Sequence, residues 1–133
     1  MDPENYAFDL LTGILVSMRG EGPSFVHDKR KLNEFFYERR KKYEDLLGVL
    51  PFYNTSSGHS CPALVDYAVS SLKSAGCLEW INNPGAGASP TVYTFISRRF
   101  GEEVIKRTFQ NRSRLEDLAK EFESEFSPVS RKA

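Results

Sequence analysis

Cysteine is nearly absent from this chain. Cys61 and Cys77 are the only two, too few for the disulfide framework of a small secreted domain. The helix read between them sets them on the order of 20 Å apart, well beyond the separation of about 7 Å that a disulfide tolerates, so both are expected as reduced thiols. Net charge is absent as well. Eighteen basic residues face 18 acidic ones, which removes any global field toward nucleic acid. No apolar run approaches the roughly 18–20 residues of a membrane span. The opening Met1-Asp2-Pro3-Glu4 is acidic and lacks the basic start of a signal peptide. These absences lead to the expectation of a soluble, cytoplasmic protein with no membrane partner.

With 40% hydrophobic and 13% aromatic residues over 133 positions, the chain has enough apolar surface for one core. The expected organisation is a single domain over residues 1–126 and a polar, disordered tail at 127–133. A first helix is read over 3–18, capped by Asp2 with Pro3 at its first position. Tyr6, Leu10, Leu11, Ile14, Leu15 and Met18 form its buried stripe. Gly20-Glu21-Gly22-Pro23 ends it, and residues 24–26 cross in extended form to a long second helix, 28–47, capped by Asp28. Leu32, Phe35, Phe36, Tyr43, Leu46 and Leu47 supply the apolar stripe of that helix. Residues 48–59 read as a connector with turn residues at 54–58.

The next stretch organises the rest. A helix over 60–75, opened by Ser60, buries Leu64, Val65, Ala68, Leu72 and Ala75 and stops at Gly76, which suits a left-handed C-terminal position. Strands follow at 77–81 and 91–96, rich in β-branched and aromatic residues. The tip between them, 82–90, holds two prolines and two glycines. Ser97 caps a helix over 98–109 with Phe100, Val104, Ile105 and Phe109 inward. A last helix starts at Asn111 or Ser113 and runs to Phe126, with Leu115, Leu118, Ala119, Phe122 and Phe126 on one seam.

The run Leu72-Lys73-Ser74-Ala75-Gly76-Cys77-Leu78, then the wing, then Tyr93-Thr94-Phe95-Ile96-Ser97 leading into a helix with Gly101, resembles the winged-helix part of many small prokaryotic regulators. The likeness spans residues 64–101 and its motifs are structural, so it speaks to fold more than to partner. It implies a mostly helical α+β domain: a winged-helix-like core of four or five helices with a two-stranded antiparallel wing.

Two features separate the chain from a DNA reader. The connector at 48–59 is longer than the three- or four-residue turn that precedes a recognition helix. Residues 51–97 contain a single cation, Lys73, against Asp66 and Glu79, and the wing tip has no Arg or Lys, whereas phosphate neutralisation supplies most of the affinity for DNA. Cations gather elsewhere. Residues 28–45 carry seven positive and five negative side chains, and the simplest reading of that helix is a solvated face with intrahelical pairs. Residues 98–114 carry six positive and two negative, and 115–126 one positive and five negative. The simplest reading is that these last two helices neutralise one another as an antiparallel pair.

Catalytic and metal chemistry find little support. His27, His59, Cys61 and Cys77 match no zinc spacing. Cys61, two positions after His59, is the sole candidate nucleophile, and a structural cysteine at a helix start is the simpler reading. Gly85–Pro90 joins two strands and no lysine follows, so it is no phosphate loop. No cofactor and no metal are expected. The expected function is therefore a non-enzymatic adaptor working by protein association, with a homodimer along Leu115, Leu118, Phe122 and Phe126 as its simplest form. The alternative is a DNA-binding transcriptional regulator. Candidate nucleic-acid or partner contacts are Arg39, Arg40, Lys41 and Lys42 on the second helix, Tyr67, Ser70, Lys73 and Ser74 on the outward face of helix 60–75, and Arg98, Arg99, Lys106 and Arg107 after the wing.

Overall fold

Helix α1 (Pro3–Ser17) is the centre of the molecule, because its side chains are apolar or small on nearly every side. From Tyr6 onward only Phe8 escapes full burial, and even Asp9, Thr12 and Ser17 are covered. The structure, a computed structural model, describes residues 3–18, 24–48, 63–80 and 91–127. After α1 come β1 (Ser24–His27), α2 (Lys29–Arg39), α3 (Glu44–Leu47), α4 (Ala63–Ser74), β2 (Leu78–Trp80), β3 (Thr91–Phe95), α5 (Arg98–Thr108) and α6 (Arg112–Phe126). The domain is a mostly helical α+β structure with six helices and one sheet among the described residues. Helix α1 packs most extensively on α4, then on α5 and α6. The sequence singles out residues 60–96 as the organising stretch, but α1 occupies the middle, because its polar positions Asp9, Thr12 and Ser17 are covered along with its apolar ones.

The sheet is three-stranded and antiparallel in the order β1-β3-β2. The extended residues expected at 24–26 are thus not a mere crossing but an edge strand, with Phe25 opposite Tyr93 and Val26 opposite Val92. Strand β2 pairs on the other side, Leu78 opposite Phe95 and Glu79 opposite Thr94. Alternation does the sorting: Phe25, Tyr93, Phe95 and Leu78 turn to the core, while Thr94 and Glu79 lie on the other face. Helix α4 ends as its sequence indicates. Gly76 has φ +77°, and the Cys77 amide bonds back to the Leu72 carbonyl at 2.9 Å, closing the helix before the strand.

The second helix breaks where a single helix over 28–47 is expected. Asp28 caps α2 by accepting from the Lys31 amide at 3.1 Å, but the helix ends at Arg39, and α3 restarts after a turn at 40–43. The turn holds three of four consecutive cations, Arg40, Lys41 and Lys42. It also turns Arg39, Lys42 and Tyr43 together toward α6.

Two further features bear on the readings of the sequence. Leu115, Leu118, Phe122 and Phe126 have no exposed surface at all. Their seam is covered by α1, α2 and β1 within the same chain, so a dimer along it would require the core to open. Phe100 is 37% exposed rather than inward, because the buried face of α5 is set by Gly101, Val104 and Ile105. The cap at Asp2, the stop at 20–23, the connector beyond Gly48, the start of helix 60–75 with Cys61, the tip 82–90 and the tail 128–133 lie outside the described residues.

Gly101 marks the closest approach of α5 to α1. A Cβ there would lie 2.1 Å from Val16 Cγ2 and 3.2 Å from Phe95 Cε1. Overpacking costs about 1–3 kcal/mol, more than the roughly 1 kcal/mol that alanine gains in helix propensity. Gly101→Ala is therefore expected to lower the urea midpoint. Combining it with Val16→Ala should destabilise less than the sum of the two single changes, and strict additivity would refute this contact.

Candidate functional site

Three surfaces hold the candidate residues, and they differ in how far the chain satisfies its own charges. The first is the junction of α2, α3 and α6. Arg39, its side chain 20% exposed, donates to Glu121 at 2.9 Å and to Glu125 at 2.6 Å. It also donates to the Phe35 carbonyl at 3.3 Å and stacks 4.0 Å over the Phe35 ring. Lys42 reaches Glu121 at 2.9 Å, and the Tyr43 hydroxyl donates to the same carboxylate. Arg114 bonds Asp45 at 3.3 Å and lies over the Tyr43 ring. Arg40 folds onto Tyr37, donating to its carbonyl at 2.7 Å, and Lys41 is exposed. Sequence reasoning found the cations here but not their partners. Glu121 and Glu125, one helical turn apart, were visible as an i,i+4 acidic pair, yet nothing local tied them to Arg39.

Charge balance at Glu121 follows from this geometry. Burial alone would raise its carboxyl, but hydrogen bonds from Tyr43, Lys42 and Arg39, together with the Arg39 charge, outweigh it and hold the pKa down at about 2, from an ordinary 4.5. Burial first, and then the bond to Glu121, push the Tyr43 hydroxyl up to about 12. Tyr6, whose hydroxyl donates to the Leu46 carbonyl, is likewise raised by burial to about 12.

The second surface is the outward side of α4. Ala68, Val69 and Leu72 face the core, so Tyr67, at 45% exposure, and Ser70, Lys73 and Ser74 face solvent. The third is α5. Arg98, Arg99 and Lys106 are exposed and have no ion-pair partner among the described residues. Arg107 lies 3.5 Å from Asp9, whose other oxygen accepts from Thr108 at 2.9 Å. Between α5 and α6 the ion pair runs opposite to the expected one: Arg112 of α6 reaches Glu102 of α5 at 3.2 Å, and Arg112 also lies 3.8 Å from Glu116 within α6. Glu121 and Glu125 of α6 turn instead to Arg39 of α2 and to Lys42 in the turn that follows it.

Two open polar grooves flank the end of α1, one lined by Ser17, Glu116, Asp117, Lys120 and Glu123 and the other by Val16, Arg98, Glu102 and Arg112. Among the described residues, no group of three or more His, Cys, Asp or Glu side chains is placed to hold a metal ion, and no helix is long and apolar enough to cross a membrane. No protein-family model matches the chain, and comparison with curated proteins and with solved structures returned no significant match.

The sign of the Glu121 effect sets a pH window. A carboxylate whose pKa is depressed on folding stabilises the native state above its unfolded value, and that contribution is lost as pH falls through the folded value. Stability should therefore drop between about pH 4.5 and about 2. In Glu121→Gln the drop over that window should be shallower and stability at neutral pH lower. Equal acid slopes in thermal melts of the two proteins would refute the assignment.

Proposed function

We propose that the chain is a winged-helix-like domain that acts without catalysis, by associating with another protein. The scaffold reading is supported by helix α4 running through Gly76 directly into the antiparallel pair β2–β3, with β1 completing the sheet. The association reading is carried by one observation. Two of the four cations in the ridge that a DNA reader would direct at phosphates, Arg39 and Lys42, are already paired with Glu121 and Glu125 of the same chain. Phosphate contacts dominate DNA affinity, and residues 51–97 bring only Lys73. With the α6 seam closed inside the core, the partner surface must be sought elsewhere than along Leu115–Phe126.

The second reading, a DNA-binding regulator, is favoured by α4 itself. Its exposed Tyr67, Ser70, Lys73 and Ser74 form a polar strip, the kind of face that can meet base edges.

Retention on random-sequence duplex separates the two. The association reading expects none at about 50 mM salt, where counterion release is strongly favourable, and a stoichiometric protein partner on affinity capture at physiological salt. Duplex binding that weakens with salt and disappears in Ser70→Asp with Lys73→Glu, with no protein captured, would replace it with the DNA reading.

A further inference from the structure

The chain's two cationic clusters have different fates, and the difference points to a surface. On α2 the cations find carboxylates of α6. On α5 they do not. Arg98, Arg99 and Lys106 stand exposed without ion pairs among the described residues, against one unpaired acid, Glu103. This helix and the corner that leads into it carry two of the three large apolar side chains exposed in the described structure, Phe100 at 37% and Ile96 at 52%. The inward residues Gly101, Val104 and Ile105 fix the orientation. At helical spacing Arg99, Glu103 and Lys106 lie opposite them, and Phe100 lies along one edge beside Arg107. Phe100 is backed there by Phe8 of α1, ring centroids 6.1 Å apart in an edge-on arrangement. Ile96 sits four positions earlier, at the strand-to-helix corner, its amide bonded to the Cys77 carbonyl at 2.9 Å.

We infer that the outward face of α5, with Arg99 and Lys106 at its middle and Phe100 and Ile96 along its edge, docks an acidic amphipathic segment of another protein. Charge complementarity selects this occupant. A segment carrying carboxylates beside apolar side chains pairs the free cations and covers the two apolar groups together. A second copy of this chain would bring the same cations to the same face, and like charges repel across an isologous contact. Nucleic acid would satisfy the cations but not Ile96, the more exposed apolar group, which has no ring for a base to stack on. The inference rests on the association reading above and narrows it to one helix and one partner chemistry.

The test uses the full chain and a fluorescein-labelled synthetic amphipathic peptide of leucine and glutamate, with versions in which lysine or glutamine replaces glutamate. The glutamate peptide is expected to bind in a salt-dependent way. Its affinity should fall about tenfold in Arg99→Glu with Lys106→Glu and about fivefold in Ile96→Ser. These positions are exposed, so thermal midpoints should hold. The charge-reversed protein should in turn prefer the lysine peptide, a swap that misfolding would not produce. Equal binding of the glutamate peptide by wild type and both variants would overturn this face while leaving the association reading intact. No saturable binding up to about 1 mM would overturn the partner chemistry. Self-association lost in the charge-reversed protein would put a second copy on the face, and duplex binding lost in the same variant would overturn both this inference and the association reading.

Discussion

Phe122 joins three parts of the chain that are remote in sequence. Its ring lies 5.5 Å from Phe35 of α2, 5.9 Å from Phe25 of β1 and 4.6 Å from Phe126, one turn along α6. All four side chains are essentially without exposed surface. Truncating such a residue to alanine typically costs about 3–5 kcal/mol, a large part of the 5–15 kcal/mol that holds an ordinary domain together. The sheet is held to the helices through this cluster, so the position of α4 and of the β2–β3 pair depends indirectly on a helix at the far end of the chain. The polar junction beside it, Arg39 with Glu121 and Glu125, fixes which way α2 faces. Aromatic packing supplies cohesion there, and the ion pairs supply orientation.

This arrangement explains why the molecule's net charge is a poor guide to its surface. Opposite charges cancel over the whole chain, but locally the cancellation is densest where Arg39 and Lys42 meet Glu121 and Glu125 of α6. The surplus left on α5 is the difference between two helical faces, one that meets carboxylates and one that meets solvent. Segment sums cannot see this. They suggested that α5 and α6 neutralise one another, whereas helix phase sends Glu121 and Glu125 to the opposite flank of α6, toward α2.

Most local signals were legible, although Ser97, read as a cap, makes no side-chain bond at the start of α5. Asp28 and Asn111 were readable as caps and do accept from the amides three positions on. Gly76 was readable as a helix stop, and aromatic and β-branched residues marked β2 and β3. What could not be read depends on partners far along the chain. Strand β1 is four residues long and takes its pairing from β3. The break after Arg39 has neither glycine nor proline to announce it, because its cause sits on α6. The seam of α6 was plain as a stripe, but periodicity reveals an apolar face without saying whether the same chain or another one covers it. The candidate residues on α4 and α5 are exposed, while Arg39 and Lys42 pair with carboxylates of α6.

The central position of α1 has a consequence for how the chain folds as it is made. Its main packing partners, α4, α5 and α6, all come later in the sequence. During synthesis, Leu10, Ile14 and Leu15 therefore lack the main packing partners of their helix until the second half of the chain has emerged. Such non-local closure slows folding and leaves apolar surface open to misassociation in the interim. A nascent chain arrested before α6 would still lack Leu115, Leu118 and Phe122, and with them one whole wall of the pocket that α1 fills. The domain is thus expected to fold late and nearly all at once, with its first helix depending on its last.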